Sequence, residues 1–310
     1  MDVIRGIENI SADLQCAVVT IGNFDGVHLG HRFIFRKLVD EARRESCPAV
    51  AITFEPHPKM ILHPERRPFY LITSLEEKIS LVAAAGVDIL ILIPFSLEYA
   101  QTTADEFIRD VLWERLRIRK ILIGQDYTFG RGKEGDKTFL TESGRRLGFA
   151  VEVMNAFKVG DTTVSSTRIR IALLAGEVRF AASLLGRPYN LVGEVIYGNR
   201  RGVRLGFSTA NIRPDKELVP PRGVYAVQVL LEGNRHRGIL NIGFNPTFAG
   251  QTLSIEVHIF DFNENIYGKE LEILFIDRIR DEIRFESPEK LIAQINRDIF
   301  QVRGILKEET

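Results

Sequence analysis

The sequence is short of cysteine, of net charge and of long apolar runs, and each shortage excludes a class of protein. Only Cys16 and Cys47 occur in 310 residues, and neither belongs to a Cys-x-x-Cys pair. Two cysteines do not make a disulfide framework, so a reducing cytosol is expected. Lys+Arg and Asp+Glu both number 41, which leaves a formal net charge of zero. That balance argues against whole-protein attraction to nucleic acid or an anionic membrane, while leaving room for a local basic patch. No stretch approaches the roughly 20 apolar residues of a membrane helix. The most apolar run, residues 87–94, is short and carries Asp88. The first residues show no basic segment followed by a long apolar one, so no secretory signal is expected. There is no internal repeat and no low-complexity tract. A soluble cytoplasmic protein is the expectation, with neither nucleic acid nor membrane as partner.

The chain is 45% hydrophobic and 26% charged, which excludes a disordered or collagen-like polypeptide. At about 150 residues per domain it forms one large or two ordinary domains, either able to bury a full core. Its rhythm changes near residue 186. Before that point short apolar runs alternate with helical patterns: strand 16–21, helix 31–46, strand 48–54, strand 87–93, strand 120–123. Thr73-Ser74-Leu75-Glu76 and Thr103-Ala104-Asp105-Glu106 each open a helix with a capping box, and Gly86 ends the first of these. This β-α-β-α order predicts a parallel sheet with helices on both faces. After residue 186, short strands split by Gly, Asn and Pro (223–231, 238–242, 254–260) precede one long helix from Ser287 to about Arg303. A small antiparallel barrel with a terminal helix is predicted there.

Gly22-Asn23-Phe24-Asp25-Gly26-Val27-His28-Leu29-Gly30-His31 leaves the first strand and enters the first helix. Ligands of parallel sheets bind where strands end and helices begin. Glycines admit close backbone approach, and helix-terminal N–H groups favour phosphate. His28 and His31, three apart, can share one side of the helix start and stabilise a leaving pyrophosphate. A bare His-x-x-His is also read as a capping pair or as two metal ligands. The full segment resembles the HxGH nucleotidyltransferases, which move a nucleotide from a triphosphate to a phosphate. Val164-Ser165-Ser166-Thr167-Arg168-Ile169-Arg170 is similar to their second phosphate-binding motif. Taken alone, its hydroxyl residues are an ordinary N-cap.

Phe54-Glu55-Pro56-His57-Pro58 and Gly124-Gln125-Asp126-Tyr127-Thr128-Phe129-Gly130 follow strands at the same sheet edge. Aromatic and proline surfaces there suit a flat ring, and Asp126 can hold Mg²⁺ or a polar ring edge. In the second half, residues 193–211 resemble the riboflavin kinase pattern GxVxxGxxxGxxLGxPTAN, with Ser208 at the proline position. This is not a Walker A loop, since no Gly-Lys-Ser/Thr follows. A basic hairpin touching RNA is the plain alternative, given Arg200, Arg201 and Arg204. Gly223-Val224-Tyr225 and Asn241-Ile242-Gly243-Phe244-Asn245-Pro246-Thr247-Phe248 also resemble that family. In strand 254–260, alternation sets Glu256, His258 and Phe260 opposite Ile255, Val257 and Ile259.

Together these segments resemble the prokaryotic bifunctional riboflavin kinase/FAD synthetase family across nearly the whole chain. The resemblance implies a Rossmann-like HxGH adenylyltransferase domain at 1–186 and a riboflavin kinase β-barrel with a C-terminal helix at 187–310. It implies Glu256 as catalytic base of the kinase, with His28 and His31 as catalytic groups of the transferase. It implies ATP or phosphate contacts from Gly22, Phe24, His28, His31, Ser166, Thr167, Arg168, Gly198, Gly202, Gly206, Thr209 and Asn211. Flavin contacts would come from Phe54, Pro56, His57, Pro58, Asp126, Phe129, Tyr225, Asn241, Asn245, Arg280 and Phe285. Thr209, Asn211 and Asp126 would hold Mg²⁺, with ATP as co-substrate and riboflavin, FMN and FAD as the other ligands. Two rival readings are a nucleotidyltransferase for another acceptor and a flavin- or RNA-binding regulator that retains the folds.

Overall fold

The computed structural model describes residues 1–11, 14–66, 68–198, 207–247 and 250–308. The chain divides into two compact units, Met1–Ser166 and Thr167–Thr310.

The first unit is built on six strands: β1 (Asp2–Arg5), β2 (Ala17–Ile21), β3 (Ala49–Glu55), β4 (Ile89–Pro94), β5 (Ile118–Gly124) and β6 (Ala150–Met154). They lie in the order β1-β4-β3-β2-β5-β6, and every pairing is parallel. All five residues of β2 are buried, as a strand covered on both faces must be. Ala17, Val19 and Ile21 enter one core layer and Val18 the other. Helix α1 (Leu29–Glu45) and helix α3 (Leu75–Ala84) cover the second layer through Phe35, Leu38 and Val82. The short α2 (Pro58–Leu62) follows β3. Over the first layer lie α4 (Ala104–Glu106), a π-helix over Phe107–Arg115, and α5 (Lys137–Leu147). From β2 the chain steps to β3 on one side, whereas β5 pairs with the other. The loops after β2 and β5 therefore flank the switch point where open α/β sheets bind ligands.

Cys16 and Cys47 correct the expectation from cysteine usage: they are joined, with Cα atoms 5.5 Å apart. They immediately precede the neighbouring parallel strands β2 and β3, whose register pairs Val18 with Ala49. The sheet itself brings the sulfurs together. A two-strand ribbon, β7 (Lys158–Val159) with β8 (Thr162–Thr163), completes this unit before α6.

In the second unit, α6 (Ser166–Ala175, entered from its second residue) and α7 (Val178–Leu185) precede a closed antiparallel barrel. Its strands are β9 (Tyr189–Ile196), β10 (Ala210–Pro214), β11 (Gly223–Leu231), β12 (Asn234–Thr247), β13 (Gly250–Ile259) and β14 (Glu270–Arg280). Helix α8 (Pro288–Glu308) packs Val302 and Leu306 on Val224, Ala226 and Ile239. The unit division falls at the start of α6, ahead of the expected boundary at 186–187. Arg179 of α7 pairs with Asp277 of β14 at 2.9 Å, which ties α7 to the barrel.

Two candidate active sites

The loop after β2 is held from beneath. Asp25 Oδ1 accepts the Ile72 and Thr73 N–H groups at 2.9 and 3.3 Å. Thr73 Oγ1 accepts the Gly26 N–H at 3.1 Å. That use of Thr73 shifts the expected capping box by one residue, to Ser74 with Glu77. Ser166 Oγ donates to the Asp25 carbonyl at 2.8 Å, so its hydroxyl latches the same loop. Thr167 and Arg168 follow in the first turn of α6. Phe24 and Val27 take positive φ, 48° and 38°, and both are buried. Left-handed backbone at two non-glycine residues costs about 1–3 kcal/mol each and persists where surroundings enforce it.

His28 is the N-cap of α1, and its Nδ1 accepts the His31 N–H at 3.2 Å. The capping reading of this histidine therefore holds. The ring proton of neutral His28 sits on Nε2. The two imidazoles stack at 3.6 Å and 16°. Gly30 permits this, since a Cβ there would stand 3.2 Å from the His28 ring. Phe24 meets His31 edge-on at 5.3 Å, so its ring braces the histidine from the core. Nδ1 of His31 is buried with no hydrogen-bond partner among the described residues. Burial, and then electrostatic repulsion from His28 and Lys78, hold the His31 pKa well below its usual value.

Lys78 did not stand out in the sequence. It projects from α3 with 3% of its side chain exposed, and Glu55 Oε2 at 4.0 Å is its ion-pair partner. Burial lowers its pKa, against the opposing pull of Glu55 and Asp25.

At the end of β3, Phe54 packs near Phe95 and Tyr99, at 5.7 and 6.3 Å between ring centres. The Glu55–Pro56 peptide is cis. His57 caps α2, with Pro58 in the first turn, and is buried beside Phe69. Past β5, Phe129 stacks on Tyr127 at 5.4 Å, whereas Asp126 is exposed. No group of three acidic, histidine or cysteine side chains suited to a metal occurs among the described residues. Gly22 closes β2 by donating to the Ile52 carbonyl at 3.1 Å.

In the barrel, register assembles the second site. Asn211 pairs with Glu256, Glu256 with Asn241, Asn241 with Val224, and Val224 with Arg280. Residues paired side by side share a face, so one lateral row runs across five strands. Ile255, Val257 and Ile259 are buried on the opposite face. The Glu256 carboxylate accepts from Ser254 Oγ at 2.9 Å, and Thr209 Oγ1 lies 3.5 Å from its other oxygen. His258 Nδ1 donates to the Ser208 carbonyl at 2.7 Å, which fixes the segment leading to Thr209. Gly198 sits so close to Asn211 that a Cβ would overlap its amide at 2.1 Å.

Two grooves meet at Thr209. One is lined by Ser208, Val257 and the segment from Phe262 to Tyr267. The other holds Asn241, Glu256, Arg280, Phe285, Leu291 and Ile295. Arg280 is fixed by Asp298 of α8 at 2.8 and 2.9 Å and lies over Phe285. Tyr225 is a correction: one residue out of phase with Val224, it is fully buried against Phe275 and donates to the Pro221 carbonyl. It is a barrel core residue and does not line the groove. Asn245 stands in β12 opposite Thr252. Gly202 and Gly206 lie outside the described residues.

Models of two known families match the chain: FAD synthetase over residues 10–168 and riboflavin kinase over residues 185–306. A bifunctional riboflavin kinase/FMN adenylyltransferase of Escherichia coli (strain K12) is 39% identical over 305 residues, 98% of this chain and 97% of that protein. One of Haemophilus influenzae with the same description is 40% identical over 300 residues, covering 96% and 97%. A solved structure from Streptococcus pneumoniae, described as a macrolide-efflux protein, aligns with a TM-score of 0.89 at 35% identity, covering 98% and 99%. Among the described residues of this chain, no helix is long and apolar enough to cross a membrane.

Proposed function

The chain belongs to the bifunctional riboflavin kinase/FMN adenylyltransferase family, and from that membership we infer that it makes FAD in two steps. It phosphorylates riboflavin with ATP to give FMN. It then joins AMP from a second ATP to FMN, giving FAD and pyrophosphate.

We assign the first step to the barrel, residues 187–310, on one observation: Asn241, Glu256 and Arg280 of the row line one groove, and Thr209 lines both that groove and the one along 262–267. In this reading ATP occupies the groove along 262–267 and riboflavin the groove at Glu256. The riboflavin 5′-hydroxyl attacks the γ-phosphorus, the bond to the β-phosphate oxygen breaks, and Glu256 accepts the hydroxyl proton. Ser254 and Thr209 orient that carboxylate. The oxygens of Thr209, Asn211 and Glu256 are hard donors beside the Gly198 cradle, a set that suits Mg²⁺ held with few protein ligands. Bound there, Mg²⁺ would neutralise charge on the transferring phosphoryl group. Asp126 is proposed as a polar contact to the flavin in the other unit.

The second step is assigned to residues 1–186. An FMN phosphate oxygen attacks the α-phosphorus and pyrophosphate leaves. The nucleophile is already anionic, so no base is required. His28 and His31 supply N–H donors at a helix N-terminus, and Ser166 holds the glycine-containing loop that presents them. Thr167 and Arg168 are proposed as further phosphate contacts. We place the enzyme in the cytoplasm, where its ATP is made; the Cys16–Cys47 link would there be open to reduction.

A time course of riboflavin, FMN and FAD by HPLC, with purified protein, ATP and Mg²⁺, tests the reading. Sequential FMN and FAD are expected. Absence of FMN overturns the barrel assignment, and FMN that never becomes FAD overturns that of the first unit.

A further inference from the structure

Lys78 is the buried cation that neither mechanism uses. Ser74 and Glu77 cap α3 reciprocally, which fixes its first turn. Lys78 follows at once, and its ammonium group carries three donors. Its ion-pair contact is Glu55 Oε2 at 4.0 Å, beyond hydrogen-bond reach. Asp25, the other carboxylate acting on it, spends Oδ1 on two backbone N–H groups. The charge of Lys78 also acts on His31, whose Nδ1 is buried with no hydrogen-bond partner among the described residues.

A lysine whose side chain is 3% exposed and whose ion-pair contact stands at 4.0 Å is costly to bury, and an apolar side chain of the same length would fit a buried helix face at less cost. A cation kept there, on a helix whose start is tied through Thr73 to Gly26 of the histidine-bearing loop, is set for an anion that arrives later. We propose that Lys78 is a phosphate-binding residue of the adenylyl-transfer site, donating to an oxygen of the pyrophosphate group that leaves ATP. The proposal rests on assigning adenylyl transfer to the first unit. The reaction gives it a reason: breaking the α–β bridge places new negative charge on pyrophosphate, and an ammonium on a largely buried side chain stabilises that charge strongly.

The reverse reaction isolates this contact, because pyrophosphate is a substrate of adenylyl transfer alone. Pyrophosphorolysis of FAD to FMN and ATP is measured for wild type, Lys78→Met and Lys78→Arg, together with FMN adenylylation and riboflavin phosphorylation. Lys78→Met is expected to raise KM for pyrophosphate by roughly 10–100-fold, the worth of one charged hydrogen bond. Lys78→Arg should return it to within a few-fold of wild type, and riboflavin phosphorylation should be unchanged in both. A rise in KM for FMN instead would identify the bound phosphate as that of FMN and overturn the pyrophosphate assignment. Unchanged KM values for pyrophosphate, ATP and FMN, with only a lower melting temperature, would make Lys78 a structural counter-ion and overturn the proposal. If Lys78→Met does not fold, Lys78→Gln takes its place, with the same readings. Wild-type protein that makes no FAD in either direction would defeat the underlying assignment rather than this inference.

Discussion

Asn211 and Glu256 are cross-strand partners on one face of the barrel, and Thr209, two residues before Asn211, reaches the same carboxylate at 3.5 Å. A carboxylate, a hydroxyl and an amide thus meet because β10 pairs with β13 in this register. The glycine at position 198 leaves room for the amide. Groups held on strands keep their geometry without substrate, which is the property a phosphoryl-transfer site needs.

Glu256→Gln keeps the shape of this cluster and removes the proton acceptor. FMN formation should fall by roughly 10²–10⁴-fold, the usual worth of a general base. FAD formation from supplied FMN should stay near wild type. Kinase turnover within a few-fold of wild type would show that Glu256 is only a strand residue.

His31 is neutral at pH 7, since burial and repulsion from His28 and Lys78 lower its pKa. Below about pH 6.5 the unfolded chain binds a proton that the folded chain refuses. This contribution to stability is full above pH 6.5 and is lost as pH falls toward the folded pKa. Melting temperatures between pH 8 and pH 5 should therefore drop more steeply for wild type than for His31→Gln. Parallel profiles would contradict it. His28→Ala and His31→Ala should each cut FAD formation by about 10²-fold and spare FMN formation.

Asp298 positions Arg280 without lining up for chemistry itself. Its carboxylate is 3% exposed and also accepts from Gln294 at 2.7 Å. Asp298→Asn should raise KM for riboflavin more than it lowers kcat, because the guanidinium loses its anchor in the groove wall. Equal losses in both constants would point to general loosening of α8.

Residues 167–310 should fold and phosphorylate riboflavin better than residues 186–310. The longer fragment keeps Arg179 on Asp277, and it keeps the Ala175 carbonyl that Arg278 reaches at 3.4 Å. Thermal melting and FMN assays of the two fragments decide this. Equal stability would show that α6 and α7 add nothing to the barrel.

Joining Cys16 to Cys47 closes a loop across a sequence separation of 31. In the chain-entropy account such a link contributes about 2–4 kcal/mol. Oxidised protein should melt higher than protein in dithiothreitol, and Cys47→Ser should remove that difference. An unchanged difference would place the redox effect elsewhere.

The sheet and the barrel were legible because their strands carry clear periods, and Glu256 because its strand alternates cleanly. Other residues failed for identifiable reasons. In Gly223–Leu231 all residues but one are buried, so alternation is invisible and the face of Tyr225 could not be read. Thr73 and Ser74 each stand three residues before a glutamate, and only the Gly26 contact decides between them. Lys78 follows two glutamates and reads as solvated helix charge until α3 is seen to turn it inward. The four-residue β1, with a charge at each end, gave no strand signal and is held by parallel pairing to β4.

With the proposed roles, the lateral row from Asn211 to Arg280 would make catalysis a gauge of strand alignment. A slip of one residue in any contributing strand would turn its side chain to the other face of the sheet. Closure leaves no free edge along which a single strand can slide, so misalignment would have to run around the whole barrel. A barrel that phosphorylates riboflavin has therefore settled its entire hydrogen-bonding register, and a misregistered one is silent as well as unstable.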